Sequence, residues 1–202
     1  SHRFPLAEPR LLSFAETMKR TVFLGTYTNG ESKGIYSCRF DEATGMLSGF
    51  RLAAETPSPS FLALHPNGKF LYAVNETNDF SGEASGSVTA YRITDPSTGA
   101  LEKLNTVSSH GAHPCHLVLT PESDAVIIAN YTGSTVTTIE IREDGSLGQT
   151  LNRILHKGSS VLKPRQAEPH PHAVNLDPAN RFVFISDLGM DQIVRYELEK
   201  GG

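Results

Sequence analysis

Cysteine is nearly missing from this chain. Cys38 and Cys115 are its only two, they lie in separate segments, and no C-x-x-C spacing marks a zinc or redox motif. Both are expected to be reduced and structural. No apolar run approaches the roughly 18 residues that a membrane span requires. There is also no run of like charges, and the net charge is only −4, so neither nucleic acid nor an anionic membrane is expected as a partner. Hydrophobic residues at 38% and charged residues at 20% exclude a disordered chain. The opening segment SHRFPLAEPRLLSFAETMKR places acidic residues and proline where a signal peptide needs an uninterrupted apolar core, so a cytoplasmic location is expected. Ser1-His2 reads as a tag remnant and Met18 as a natural start. Residues 1–17 are therefore set apart as a tag or disordered segment, with 18–202 as the folded part.

No stretch has the apolar period of a helix. What the chain has instead is repetition. SPSFLALHPNGKFLYAVNE (58–76), HPCHLVLTPESDAVIIANY (113–131) and HPHAVNLDPANRFVFISDLGMDQIVRY (170–196) align through Pro66, Pro121 and Pro178, which stand 55 and 57 residues apart. In each unit a short apolar run meets a turn centred on proline (HPNG, TPES, DPAN), whose residue types favour a tight reversal. A second run (KFLYAVN, DAVIIAN, RFVFISD) is rich in β-branched and aromatic residues, too short for a helix, and reads as a buried strand. A third run (GSVTAYRIT, STVTTIEIR, DQIVRYELE) alternates apolar and polar residues, as a strand partly in water does. A weaker fourth strand follows before the next unit.

Four strands per unit with no helix is the pattern of β-propeller blades. The chain therefore reads as an all-β partial propeller of fourteen strands, three and a half blades. Its first unit lacks the inner strand and its last lacks the fourth. Half a ring leaves two blade faces uncovered. This implies that the chain is a fragment, that a second chain completes the ring, or that a homodimer of two copies makes seven blades.

In this topology the start of each inner strand and the end of each second strand share one face of the disc. That brings His113, His116, His170, His172, Asn130 and Asp187, together with Glu76, to one channel mouth, with Arg165, Gln166 and Glu168 hanging over it. Plainer roles compete with function at several of these. His113 before proline suits a turn, Asp187 and Asp191 suit the turn between second and third strands, and Asn75 and Asn130 recur as turn residues do. Cys115 aligns with Ser60 and His172 at strand starts, which favours burial over a nucleophile. His116, His172 and Glu168 are acceptable metal ligands by type, but without a tight spacing motif no metal or other cofactor is expected.

The segments RQAEPHPHAVNLDPANRFVFISDLGMDQIVRY, HPCHLVLTPESDAVIIANYTGSTV and FLGTYTNGESKGIY resemble the seven-bladed β-propeller lactonase family. That family holds bacterial 6-phosphogluconolactonases of the cycloisomerase-2 type and the fungal carboxymuconate cyclase. The resemblance runs over nearly all of Met18 to Glu199, at about half the family's length. The Trp-Asp signature of WD repeats is absent, because the chain has no tryptophan. Ala167 stands where the family often has an acidic residue after Arg-Gln, and Glu168 follows it.

The resemblance implies hydrolysis of a small sugar lactone, foremost 6-phosphogluconolactone. The working groups it implies are Arg165, Glu168, His116, His170 and His172; Glu168, His172, Arg165 and His116 are expected to be catalytic, and His170 together with the mouth residues Gln166, His113, Asn130 and Asp187 to contact substrate. His172 or Glu168 would activate water, Arg165 would hold a phosphate or carboxylate, and His116 would donate to the developing oxyanion. A lactone-forming cycloisomerase, a non-catalytic binding propeller and an inactive fragment stand as alternatives.

Overall fold

The computed structural model describes residues 19–199. The segment 1–17 and Met18 lie outside the described residues. Fourteen strands form four antiparallel sheets. The first holds β1 (Lys19–Leu24), β2 (Gly34–Asp41) and β3 (Leu47–Glu55). The second holds β4 (Leu62–Leu64), β5 (Phe70–Asn75), β6 (Ser87–Asp95) and β7 (Ala100–Ser108). The third holds β8 (Pro114–Leu119), β9 (Ala125–Asn130), β10 (Thr135–Ile141) and β11 (Leu147–Leu155). The fourth holds β12 (Pro171–Leu176), β13 (Phe182–Asp187) and β14 (Gln192–Glu197). Within each sheet the strands follow chain order, as in propeller blades.

The second strand of each middle blade is packed on both faces, which is why its sequence is apolar throughout. Alternate residues of β5 serve different neighbours. Phe70, Tyr72 and Val74 pack with Leu117, Leu119, Val126 and Ile128 of the third sheet. Leu71 and Ala73 pack with Ile35 of the first. The same alternation continues in β9, where Ile127 and Ala129 meet Val174, Val183 and Ile185 of the fourth sheet. In β13 it breaks down. Val183 and Ile185 are buried, whereas Phe182 and Phe184 are only half-buried, because among the described residues no fifth sheet covers that face.

The first sheet begins at the second-strand position and the fourth ends at the third-strand position, so each is one strand short among the described residues. Two copies of these sheets make eight, four of them three-stranded. A sheet short of its inner strand cannot merge with one short of its outer strand into a single four-stranded blade. Counted over the described residues, a pair of copies gives eight sheets rather than seven.

Candidate active site

Asn75, Asn130 and Asp187 close their second strands and are almost fully buried, at 1%, 0% and 3% exposure. Each reaches back to the residues just after the preceding sheet's outer strand. Asn75 donates to Thr56 Oγ1 at 2.8 Å and to Pro57 O at 2.7 Å, and Asn130 donates to Ser109 O at 3.0 Å. The Asp187 carboxylate meets His156 Nδ1 at 2.6 Å. Because side chains alternate along a strand, the following residues turn the other way, toward the mouth. These are Tyr27 in the first sheet, then Glu76, Tyr131 and Leu188.

Two clusters result. Glu76 accepts from the Tyr27 hydroxyl at 2.9 Å and from Ser60 Oγ at 2.5 Å. Tyr131 gathers the second: His170 stacks on its ring, with centroids 4.4 Å apart and planes 9° apart. His172 meets the ring edge-on at 5.6 Å, and an Arg165 guanidinium nitrogen lies 3.4 Å from the Tyr131 hydroxyl. His170 Nδ1 is 3.0 Å from Tyr131 O. His116 lies against Phe61, with ring centroids 4.0 Å apart, and its Nδ1 accepts from the Val174 N–H at 3.3 Å. Burial, and then the neighbouring His172, hold the pKa of His116 below its usual value. It is therefore a neutral ring with its proton on Nε2, poised as a donor.

A family model described as "Lactonase, 7-bladed beta-propeller" matches residues 21–202. The chain belongs to this lactonase family. A 6-phosphogluconolactonase of Bacillus subtilis is 34% identical over 179 residues, covering 89% of this chain and 49% of the relative. A solved Pseudomonas aeruginosa structure, a periplasmic gluconolactonase, superposes with a TM-score of 0.80 at 34% identity, over 89% of this chain and 50% of that one. A solved Bacteroides fragilis protein reaches 0.84 at 37% identity, over 91% and 49%. The chain thus spans about half the length of the relatives it matches.

Within this mouth, the structure gathers Arg165, His170 and His172 around Tyr131 and sets His116 deeper, between the inner strands. Glu168 is exposed, and its carboxylate has no hydrogen bond among the described residues. Four other candidates belong to the scaffold. Asn130 and Asp187 are buried as described above. Gln166, 9% exposed, turns inward, accepting from Leu162 N–H at 2.8 Å and donating to Leu188 O at 3.0 Å. His113 has a positive φ of 53° and sits beside Thr132 Oγ1 at 2.9 Å, which are turn duties.

Sequence reasoning passed over Tyr27, Tyr131 and His156. The signal for the tyrosines was the period-two alternation after each buried Asn or Asp; for His156 it was the recurrence of Thr56 and Ser109 at the same place. Cys38 and Cys115 are both free thiols. Burial, then the charge of Glu76, pushes Cys115 up to about 12, which makes it a poor nucleophile. Among the described residues no three His, Cys, Asp or Glu side chains are placed to hold a metal ion.

Proposed function

We propose that this chain carries the catalytic mouth of a sugar-lactone hydrolase whose substrate bears a phosphate or carboxylate, 6-phosphogluconolactone being the foremost candidate. The observation that carries the reading is the convergence of Arg165, His170 and His172 on the single ring of Tyr131. The Bacillus subtilis relative bears the name of that activity, and the family is one of lactonases.

Opening a lactone needs a base for water, a donor for the oxyanion, and a hold on the rest of the substrate. A mouth histidine takes the water proton. His116 offers its Nε2–H, and because its ring stays neutral it donates without first losing a charge to solvent. Arg165 supplies a planar fork for the anionic group. A second copy or a second chain would complete the ring beside β1 and β14.

The test is hydrolysis of 6-phosphogluconolactone by the assembled protein and by Arg165→Ala. Loss of a charge-assisted contact is expected to lower kcat/KM roughly 10- to 100-fold, with the circular dichroism of the fold unchanged. Wild-type kinetics in that variant would remove Arg165 from the site.

A further inference from the structure

We propose that His170, rather than the more exposed His172 or Glu168, is the general base, and that His156 positions it through Asp187. This assignment rests on the hydrolase reading above. A carbonyl oxygen can only accept, so the 3.0 Å contact with Tyr131 O fixes the His170 proton on Nδ1 and leaves Nε2 with a free lone pair. Nε2 has no hydrogen-bond partner among the described residues. It is not sealed either, since the buried side-chain polar atoms without a partner there are the Tyr91 hydroxyl and Asn130 Oδ1. Although His170 is only 9% exposed, its Nε2 is therefore left as an unsealed acceptor, opposite in tautomer to His116.

His170 is held more firmly than either of its two rivals for the role. The ring of His170 is stacked on Tyr131, while its backbone N–H donates to Asp187 Oδ1 at 2.8 Å and its backbone carbonyl accepts from Leu188 N–H at 3.0 Å. His172 has only an edge contact with that ring, and Glu168 has no partner to fix its proton.

Asp187 is the unusual member of its series. The corresponding residues in the two preceding sheets are amides that meet Thr56 or Ser109, whereas here a buried carboxylate meets a buried imidazole, with side-chain exposures of 0% and 2%. The far nitrogen of His156 is 3.0 Å from the Tyr196 hydroxyl. Asp187 thus ties down both ends of the segment 157–169 that carries Arg165, through the His156 side chain at one end and the His170 N–H at the other. A neutral Asn would have served as a mere turn device. Of the three sheets compared, only the fourth carries a carboxylate at this place.

The step balances with this chain's groups alone. A water oxygen bonds to the lactone carbonyl carbon as one water proton passes to His170 Nε2. The ring C–O bond then breaks, and its oxygen takes that proton back to leave as a hydroxyl. The second water proton departs from the new carboxyl group to solvent, leaving the carboxylate. The charged and titratable groups around His170 are Asp187 beneath its backbone, Tyr131 against its ring, Arg165 and Glu168 on the preceding segment, and His172 on the same strand.

His170→Asn keeps a donor near Nδ1 and deletes Nε2. It is expected to lower kcat about 1,000-fold, while His172→Asn and Glu168→Gln cost less than about 10-fold. For the positioning role, His156→Ser should lower kcat about 10-fold at constant KM. His156→Asn, which restores a donor beside Asp187, should recover most of that loss.

Nitrogen-15 shifts of the imidazoles read the tautomer without turnover and should show His170 protonated at Nδ1 alone. A retained rate in His170→Asn, or an Nε2-protonated His170, overturns the base assignment while leaving the hydrolase reading intact. Thermal destabilisation of His156→Ser with unchanged kcat overturns the positioning role. A wild-type protein that opens no lactone sinks the function and the base together.

Discussion

Gly189 and Gln166 decide at the level of single atoms where Arg165 can stand. A Cβ on Gly189 would lie 1.8 Å from the carbonyl oxygen of Glu168, a backbone atom that cannot swing aside. The glycine is thus required by close approach, and the segment carrying Arg165 lies flat on the turn between β13 and β14 only because nothing projects there. Gln166 pins the same segment from beneath through Leu162 N–H and Leu188 O. Gly189→Ala should lift the segment and reduce kcat/KM by about 10-fold or more. Gln166→Ala should reach the same end by leaving buried backbone groups unpaired, at about 1–3 kcal/mol. Steady-state kinetics with limited proteolysis across 157–169 checks both: faster cleavage there with weaker catalysis is expected, and unchanged catalysis in both variants would detach the segment from the site. The sequence pointed to polar groups crowding the mouth at this scale, and Glu76 does turn toward it, but two neighbours that it grouped there turn the other way. Asn130 and Asp187 end the strands and point into the blades, while Tyr131 and Leu188 point out.

The repeat made the elements legible. Pro66, Pro121 and Pro178 mark the first turn of each unit, and the apolar runs after the first two are strands with both faces against neighbouring sheets. The tie between sheets was harder to see. Its partners, Thr56 with Asn75, Ser109 with Asn130 and His156 with Asp187, lie 19, 21 and 31 residues apart, and nothing local announces them. If the fourth-sheet pair is a single unit, removing either member leaves an uncompensated buried group and costs about 3–5 kcal/mol. Combining His156→Ser with Asp187→Asn recreates the neutral pairing of the sheet before it. Urea unfolding of both single variants and the double should therefore be non-additive, the double costing at least about 2 kcal/mol less than the sum. Additive losses would mean that the two groups merely sit side by side.

The four sheets make an arc whose ends are chemically unlike its middle. On β13 the inward residues Val183 and Ile185 are buried at 5% and 0%, while Phe182 and Phe184 on the other face are half-buried and Ile193 of the adjacent strand is 71% exposed. At the far end Met46 and Phe50 are 65% and 59% exposed. A face of this kind seeks cover, and in a closed ring the next blade provides it. The chain by itself should therefore show a concentration-dependent mass by light scattering and bind an apolar dye. Phe184→Lys combined with Ile193→Lys should suppress both effects with little change in melting temperature, because that face has no packing to lose. Val183→Lys, one residue away on the packed face, should unfold the fourth sheet, because it buries a charge against Ile127 and Ile185. A monodisperse monomer that binds no dye would show the end faces to be already satisfied, and the open arc would then be the wrong picture of the chain in solution.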